Sequence, residues 1–128
     1  MKFLLLTLLL SLGASGFAVE AFPEISQEDL AKAIEAKTVT LIDVNGTDSY
    51  KQGHIPGAID YGAKMEELAK LLPSDKAALI VSYCGGPGCG AWKSGAFDAR
   101  RFGHTNVKHF KGGIDGWKAS GAKVETAP

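Results

Sequence analysis

Short runs of β-branched and aliphatic residues alternate along this chain with segments in which apolar residues recur every three or four positions. The short runs are typical of buried strands and lie at Val39–Val44, Ala77–Tyr83 and Asn106–Phe110. The periodic segments predict helices beginning at Ser26 and covering Lys64–Leu72, Gly90–Phe102 and Gly113–Ser120. Because strands and helices alternate, the fold class is predicted as α/β with a largely parallel sheet.

Capping and turn residues divide these elements. Ser26 and Asp29 have the spacing of an approximate capping box, and Gly103 follows the third predicted helix as a C-cap. A stretch rich in Gly and Pro after the first strand predicts turns, a short helix and a short strand at Ala58–Tyr61. We therefore expect one small domain with short connections.

The first residues have the pattern of a signal peptide. Lys2 precedes the apolar run FLLLTLLLSL, and small residues follow, so cleavage is expected near Ala18 or Ala21. The run is shorter than the roughly 20 residues that span a bilayer, which makes a retained anchor the weaker interpretation; a buried N-terminal helix is a further alternative. We predict removal of residues 1–21, a domain at 22–122 and a flexible tail at 123–128. The protein would then be exported, periplasmic or secreted, with no stable membrane insertion.

Composition narrows the expected partners. The 128 residues include 14 Lys+Arg and 14 Asp+Glu, which gives a formal net charge of zero, and no basic run is present. This balance gives no electrostatic reason to expect a nucleic-acid partner. Three scattered histidines and two cysteines five positions apart do not match metal-ligand spacing, so we expect neither a metal nor a cofactor. The sequence leaves the oligomeric state open.

Both cysteines lie in the segment AALIVSYCGGPGCGAW, where an apolar strand ends at Cys84 and a loop of Gly and Pro leads into a helix. A thiol at such a position receives backbone N–H groups and the positive end of the helix dipole. Its pKa is expected to be lowered, which makes Cys84 a candidate nucleophile.

Several further motifs accompany this cysteine in a fixed order: LIDV at Leu41–Val44, Tyr50, GHIPGAI at Gly53–Ile59, VSYC at Val81–Cys84, Asn106 with Val107, and GGIDGW at Gly112–Trp117. In this order and spacing the chain resembles rhodanese-like domains, roughly from Ile25 to Gly121. The resemblance implies a three-layer fold with a five-stranded, mostly parallel sheet flanked by helices.

The resemblance also implies a sulfurtransferase. The thiolate of Cys84 would take a sulfane sulfur from a small donor, hold it as a persulfide and pass it to a thiol or another thiophilic acceptor. The anion-binding loop would comprise Gly85, Gly86, Pro87, Gly88, Cys89 and Gly90, whose backbone N–H groups would stabilise the sulfur anion. Asp43, at the end of a neighbouring strand, would have a supporting, mainly structural role.

The chain departs from many thiosulfate-using members of that family at two positions. A frequent loop Arg is replaced by Cys89, and Asn45 stands where Arg commonly follows the LIDV strand. The loop therefore has no cation, which argues against thiosulfate as the physiological donor.

The cysteine pair leaves alternatives open. Cys84 could form a structural disulfide with Cys89 instead of acting as a nucleophile. A disulfide that closes so short a loop would contribute little to stability. Cys89 is either a resolving thiol or a small residue at a helix start. On the family resemblance, the chain is interpreted as a sulfurtransferase. The alternatives are an exported thiol–disulfide redox protein and a non-catalytic binding module.

Other side chains have structural interpretations. His54 is assigned to a turn, whereas His104 and His109 lack partners at metal-binding spacing. Trp92 and Trp117 are assigned to the core or its rim, and Trp92 could also form a pocket wall. Ala96 and Phe97 are further core candidates. Lys93, the nearest cation after the loop, either attracts an anionic donor or is a solvated helix residue, and the second interpretation is preferred.

Overall fold

A parallel sheet forms the centre of the protein, for which a computed structural model describes residues 22–128. The strands are β1 (Val39–Asp43), β2 (Ile59–Asp60), β3 (Leu79–Tyr83) and β4 (Val107–His109). They lie in the order β2-β1-β3-β4, and every pair is parallel. The predicted α/β class is therefore confirmed. The predictions of a signal peptide and its cleavage concern residues 1–21, which lie outside the described residues.

The sheet of the described residues has four strands rather than the expected five. Beyond β4, Glu24 forms only an isolated parallel bridge with His109. The N–H of His109 donates to the carbonyl of Pro23 at 2.9 Å, and the N–H of Ile25 donates to the carbonyl of His109 at 3.0 Å. Pro23 has no N–H to extend the ladder, and Ser26 already caps the next helix. The pairing therefore stops before it becomes a strand.

The helices alternate with the strands. They are α1 (Gln27–Glu35), α2 (Thr47–Gln52), α3 (Tyr61–Lys64), α4 (Leu68–Leu71), α5 (Trp92–Arg101) and α6 (Gly113–Ala119). The side chain of Ser26 accepts a hydrogen bond from the N–H of Asp29, as the capping pattern predicts. No helix within residues 22–128 is long and apolar enough to cross a membrane.

The predicted helix at Lys64–Leu72 is wrong as one continuous element. A 3-10 turn at Met65–Glu67 separates α3 from α4. The segment gives the core only Leu68 and Leu72, while Met65 and Leu71 are exposed. With so few buried contacts, short turns are enough to place these side chains.

Two apolar layers cover the faces of the sheet. On one face, Trp92 and Ala96 of α5 belong to the same cluster as Ile42 and Ile80. On the other face, Leu30 of α1 and residues of α6 form a cluster with alternate strand residues, here Leu41, Val81, Ile114 and Trp117. Neighbouring strand residues thus serve opposite layers, as the pleat requires. The assignment of Phe97 to the core is wrong, because its side chain is 48% exposed.

The C-terminal residues, predicted as a flexible tail, are hydrogen-bonded to the domain. Glu125 and His54 exchange backbone hydrogen bonds of 2.9 and 3.0 Å. The N–H of Ala127 donates to the carbonyl of Lys51 at 3.1 Å, and the indole N–H of Trp117 donates to the carbonyl of Lys123 at 2.8 Å. The segment therefore docks against α2, α6 and the turn at His54.

Candidate active site

The loop between β3 and α5 contains both cysteines, and the structure joins them in a disulfide. Their Cα atoms are 6.3 Å apart, within the ordinary range for such a bond. Cys84 is 2% exposed, whereas Cys89 is partly exposed at the surface of a cavity. The two sulfur atoms therefore have different access in this oxidised form.

The start of α6 holds the first residues of this loop. The N–H of Ile114 donates to the carbonyl of Cys84, and the N–H of Asp115 donates to the carbonyl of Gly85, both at 2.9 Å. Gly113 adopts φ +61°, and a Cβ at this position would lie 2.5 Å from the carbonyl oxygen of Cys84. Only glycine allows this approach. The GGIDGW motif is thus a support for the cysteine loop.

The loop offers part of the expected set of N–H groups. The N–H of Cys89 donates to the carbonyl of Gly86 at 3.0 Å, so it is already used. Within residues 22–128, the N–H groups of Gly85, Gly86, Gly88 and Gly90 have no acceptor. Pro87 supplies none. Unpaired N–H groups of a loop are suited to binding an anion.

Asp43 lies below the loop at the end of β1 and is buried. One carboxylate oxygen accepts the hydroxyl of Tyr83 at 2.7 Å, and the other accepts the N–H of Asn45 at 2.9 Å. The Tyr83 hydroxyl also accepts the N–H of Ile55 at 3.0 Å. These contacts connect Asp43 to Tyr83, the residue that precedes Cys84 in the chain.

Burial dominates the electrostatics of this pair. It raises the pKa of Asp43, while the hydrogen bond from Tyr83 opposes that change. The pKa of Tyr83 is raised strongly, first by burial and then by the charge of Asp43. Tyr83 therefore stays protonated and keeps donating to the carboxylate.

A cavity of about 600 Å³ opens over Cys89. Several aromatic side chains line its walls. Trp92 stacks on His109 with ring centroids 3.6 Å apart, and Phe22 packs edge-on against Trp92 at 5.8 Å and against Phe97 at 5.2 Å. Trp92 thus both packs in the core and forms a pocket wall.

Charged side chains stand at the same cavity. Lys93, Lys111 and Glu24 line it, and the ammonium of Lys111 is 3.9 Å from the carboxylate of Glu24. Lys93 is exposed, as expected for a solvated residue of α5, and it also lines the cavity. Lys111 was not predicted as a cavity residue. Its position just after β4 could have indicated it, because ligands of parallel sheets bind outside the carboxyl ends of the strands.

His109 is a second cavity residue that sequence reasoning missed. Burial lowers its pKa; Glu24 opposes the change, and Lys111 and Lys93 add to it. At neutral pH the imidazole is therefore uncharged, and it contributes a flat surface beside Trp92 rather than a cation.

The other histidines lie elsewhere. His54 stacks on Tyr50 with ring centroids 3.7 Å apart, and its Nδ1 is 2.8 Å from the carbonyl of Tyr50, which confirms its turn role. The Nε2 of His104 is 3.4 Å from the ammonium of Lys76. Among residues 22–128, no group of three or more His, Cys, Asp or Glu side chains is placed to hold a metal ion.

Comparisons with known proteins agree with the fold and the motifs. The Rhodanese-like domain family model matches residues 26–120. Thiosulfate sulfurtransferase GlpE of Actinobacillus pleuropneumoniae is 28% identical over 113 residues, which cover 84% of this chain and 97% of that protein. An HTH-type transcriptional regulator of Mycobacterium tuberculosis is 34% identical over 102 residues, which cover 79% of this chain and 44% of the regulator. This chain thus spans less than half of that regulator's length.

A solved structure is similar over the same region. The solution structure of a rhodanese-like domain from Anabaena sp. has a TM-score of 0.63 and 27% identity, and the match covers 84% of this chain and 81% of that one. The matched family region, residues 26–120, includes the cysteine loop and the α6 segment that holds it.

Proposed function

The chain belongs to the rhodanese-like family, and on that premise we propose that it is a sulfurtransferase in which Cys84 carries sulfane sulfur as a persulfide. The observation that carries the proposal is the placement of Cys84 at the carboxyl end of β3, where α6 fixes its carbonyl and the loop offers unpaired N–H groups. The disulfide with Cys89 corresponds to an oxidised form that must be reduced before sulfur transfer begins.

The proposed transfer has two displacement steps. The thiolate of Cys84 attacks the sulfane sulfur of the donor, and the donor's leaving group departs with the electron pair of the broken bond. A thiophilic acceptor then attacks the outer sulfur of the persulfide, and Cys84 leaves as a thiolate. Both states of the cysteine carry negative charge, so the loop N–H groups of Gly85, Gly86 and Gly88 are suited to stabilise them.

The cavity supports an anionic organic donor. Its aromatic walls, Phe22, Trp92 and Phe97, offer apolar contact that a small inorganic anion does not use. Lys93 and Lys111 outnumber Glu24 among the fully charged side chains of the lining, so an anion is favoured over a cation. We propose a sulfur donor that combines an apolar body with a negative charge.

A transfer assay with the reduced protein tests this proposal. The donors are thiosulfate and benzenethiosulfonate, an aromatic anion with a sulfane sulfur, and the acceptor is cyanide. We expect kcat/KM to be higher for benzenethiosulfonate, and we expect Cys84→Ser to abolish transfer from both donors. Full activity of Cys84→Ser would exclude the proposal.

The lysines provide a sharper test of the donor site. Lys111→Met should raise KM for benzenethiosulfonate by about two- to fivefold, since an exposed charge contributes about 0.5–1 kcal/mol. The effect should shrink as salt screens the charge. Lys118→Met is the matched control, because Lys118 is an exposed residue of α6 that is not among the cavity residues. Equal KM values for the two variants would contradict an anion site at Lys111.

The disulfide favours a second candidate function, a thiol–disulfide redox protein using Cys84 and Cys89. The assay separates the two functions by the role of Cys89. Sulfur transfer requires only Cys84, so Cys89→Ser should retain it, whereas disulfide exchange with a dithiol substrate requires both cysteines. Loss of all activity in Cys89→Ser would favour the redox function.

A further inference from the structure

We infer that Cys89 resolves the persulfide of Cys84 into a disulfide and releases sulfide, so that the protein reduces sulfane sulfur when no acceptor takes it. This inference rests on the proposed persulfide chemistry of Cys84. It adds an activity to that function: the same loop transfers sulfur to an acceptor or expels it as sulfide.

The inference rests on the observation that the sulfur of Cys89 can bond the sulfur of Cys84 within the folded domain. The disulfide exists with β3 paired and with α6 bonded to the carbonyls of Cys84 and Gly85. Bond formation therefore requires no unfolding of the elements around the loop. In the persulfide, the inner sulfur is the Sγ of Cys84, which is the same atom that Cys89 bonds in this structure.

The local chain leaves room for this movement. Cys89 stands between Gly88 and Gly90, and a Cβ at either position would meet no atom of the described residues within 4 Å other than those of its chain neighbours. In the reduced protein, Cys89 can withdraw into the cavity and open Cys84 to the donor. Its return to Cys84 is intramolecular, so it competes with a dissolved acceptor at high effective concentration.

The reaction balances as follows. The Cys89 thiolate attacks the Sγ of Cys84, and the bond between that atom and the outer sulfur breaks. The outer sulfur leaves with the electron pair and takes up the proton that Cys89 has lost, as hydrosulfide or hydrogen sulfide. The sulfane sulfur is reduced to sulfide, and the two cysteines are oxidised to the disulfide.

A dithiol reductant returns the protein to its starting state. Because Cys84 is 2% exposed and Cys89 lines the cavity, the first thiol of the reductant attacks the Sγ of Cys89. Cys84 leaves as a thiolate beside the loop N–H groups, which favour that leaving group. The second thiol of the reductant then frees Cys89 and closes the reductant's own disulfide.

A single-turnover experiment without acceptor tests the inference. The protein is fully reduced, freed of reductant under anaerobic conditions and mixed with benzenethiosulfonate, whose leaving group is a sulfinate and not sulfide. Sulfide is measured with time, and the cysteine-containing peptides are mapped by mass spectrometry. Wild type should release close to one sulfide per chain and end with the Cys84–Cys89 disulfide, whereas Cys89→Ser should release no sulfide and keep the persulfide on Cys84.

The possible outcomes distinguish a failure of this inference from a failure of the proposed sulfurtransferase function. A wild-type persulfide that lasts as long as the one in Cys89→Ser, with no sulfide released, would overturn the inference and leave the sulfurtransferase proposal standing. If Cys89→Ser forms no persulfide on Cys84, the proposed function itself is wrong. Cys89→Ala repeats the test without a hydroxyl, and Cys84→Ser should give neither persulfide nor sulfide.

Discussion

Tyr83 and Cys84 are adjacent in the chain but differ in their contacts. Tyr83 turns its hydroxyl to the buried carboxylate of Asp43, while Cys84 begins the loop. Because the carboxylate is buried, the hydrogen bond from Tyr83 compensates for much of its lost hydration. The residue before Cys84 is thus fixed by a polar contact within the fold.

Tyr83→Phe should lower the free energy of unfolding by about 1–3 kcal/mol, because it leaves the buried Asp43 without its hydroxyl donor and Ile55 without an acceptor. Burial raises the pKa of Asp43 above 3.8. The folded state therefore favours the protonated form of this carboxyl. The resulting contribution to the free energy of unfolding is fully present below pH 3.8 and is lost as pH rises through the folded-state pKa. The cost of Tyr83→Phe should accordingly be larger at neutral pH than at acidic pH, as measured by chemical denaturation.

Tyr61→Phe is the matched control. Its hydroxyl also donates to a carboxylate, that of Asp98, at 2.7 Å. This pair is less buried, and Arg101 gives Asp98 a second donor at 2.9 Å. The loss should be smaller. Equal losses for the two variants at every pH would contradict the role assigned to the Asp43–Tyr83 contact.

At the scale of elements, the cysteine loop is held by α6 as well as by β3. The loop's first carbonyls are bound by the N–H groups at the start of α6, and Gly113 allows the two backbones to approach. Gly95 has a similar function in α5, where a Cβ would lie 2.8 Å from the side chain of Ile42. Close packing of helix on sheet therefore positions both sides of the loop.

Gly113→Ala should destabilise the protein by at least about 1–2 kcal/mol, the usual cost of a left-handed conformation, because it adds a clash with the carbonyls of Cys84 and Gly85. It should also slow persulfide formation on Cys84. Gly116→Ala is the control in the same helix: its Cβ would meet nothing within 4 Å, so it should be neutral or stabilising by about 0.5–1 kcal/mol. Thermal unfolding and sulfur transfer are measured for both, and equal stability of the two variants would refute the close-approach argument.

The sequence predicted these elements where local signals are strong. The apolar runs identified β1, β3 and β4, and Ser26 marked the start of α1. It could not predict features that depend on tertiary contact. The single bridge at Glu24, the break before α4 and the exposure of Phe97 follow from what packs against each segment.

The candidate site, like the fold, was predictable only where local sequence signals are strong. Cys84 and the glycine loop could be placed from their position after a strand, and GGIDGW from its motif. The bond between Cys84 and Cys89 depends on distances that sequence does not contain. The cavity joins Phe22, Trp92 and Lys111, which are far apart in the chain and meet only through the fold.

At the scale of the whole molecule, the loop, α5 and the segment before α1 meet at one edge of the sheet and line the open cavity over Cys89. Export stays a prediction, because it rests on residues 1–21; a mature N-terminus at Val19 or Phe22 would support it. An oxidising compartment would favour the disulfide between Cys84 and Cys89 and would make an external reductant necessary for each cycle.

The mass of the peptide containing Cys84, after the reduced Cys89→Ser protein has reacted with a sulfane-sulfur donor, tests the role of this residue most directly. The sulfurtransferase proposal predicts one added sulfur atom on Cys84, which is removed by cyanide and is absent from Cys84→Ser. An unmodified Cys84 in a protein that remains folded would contradict it.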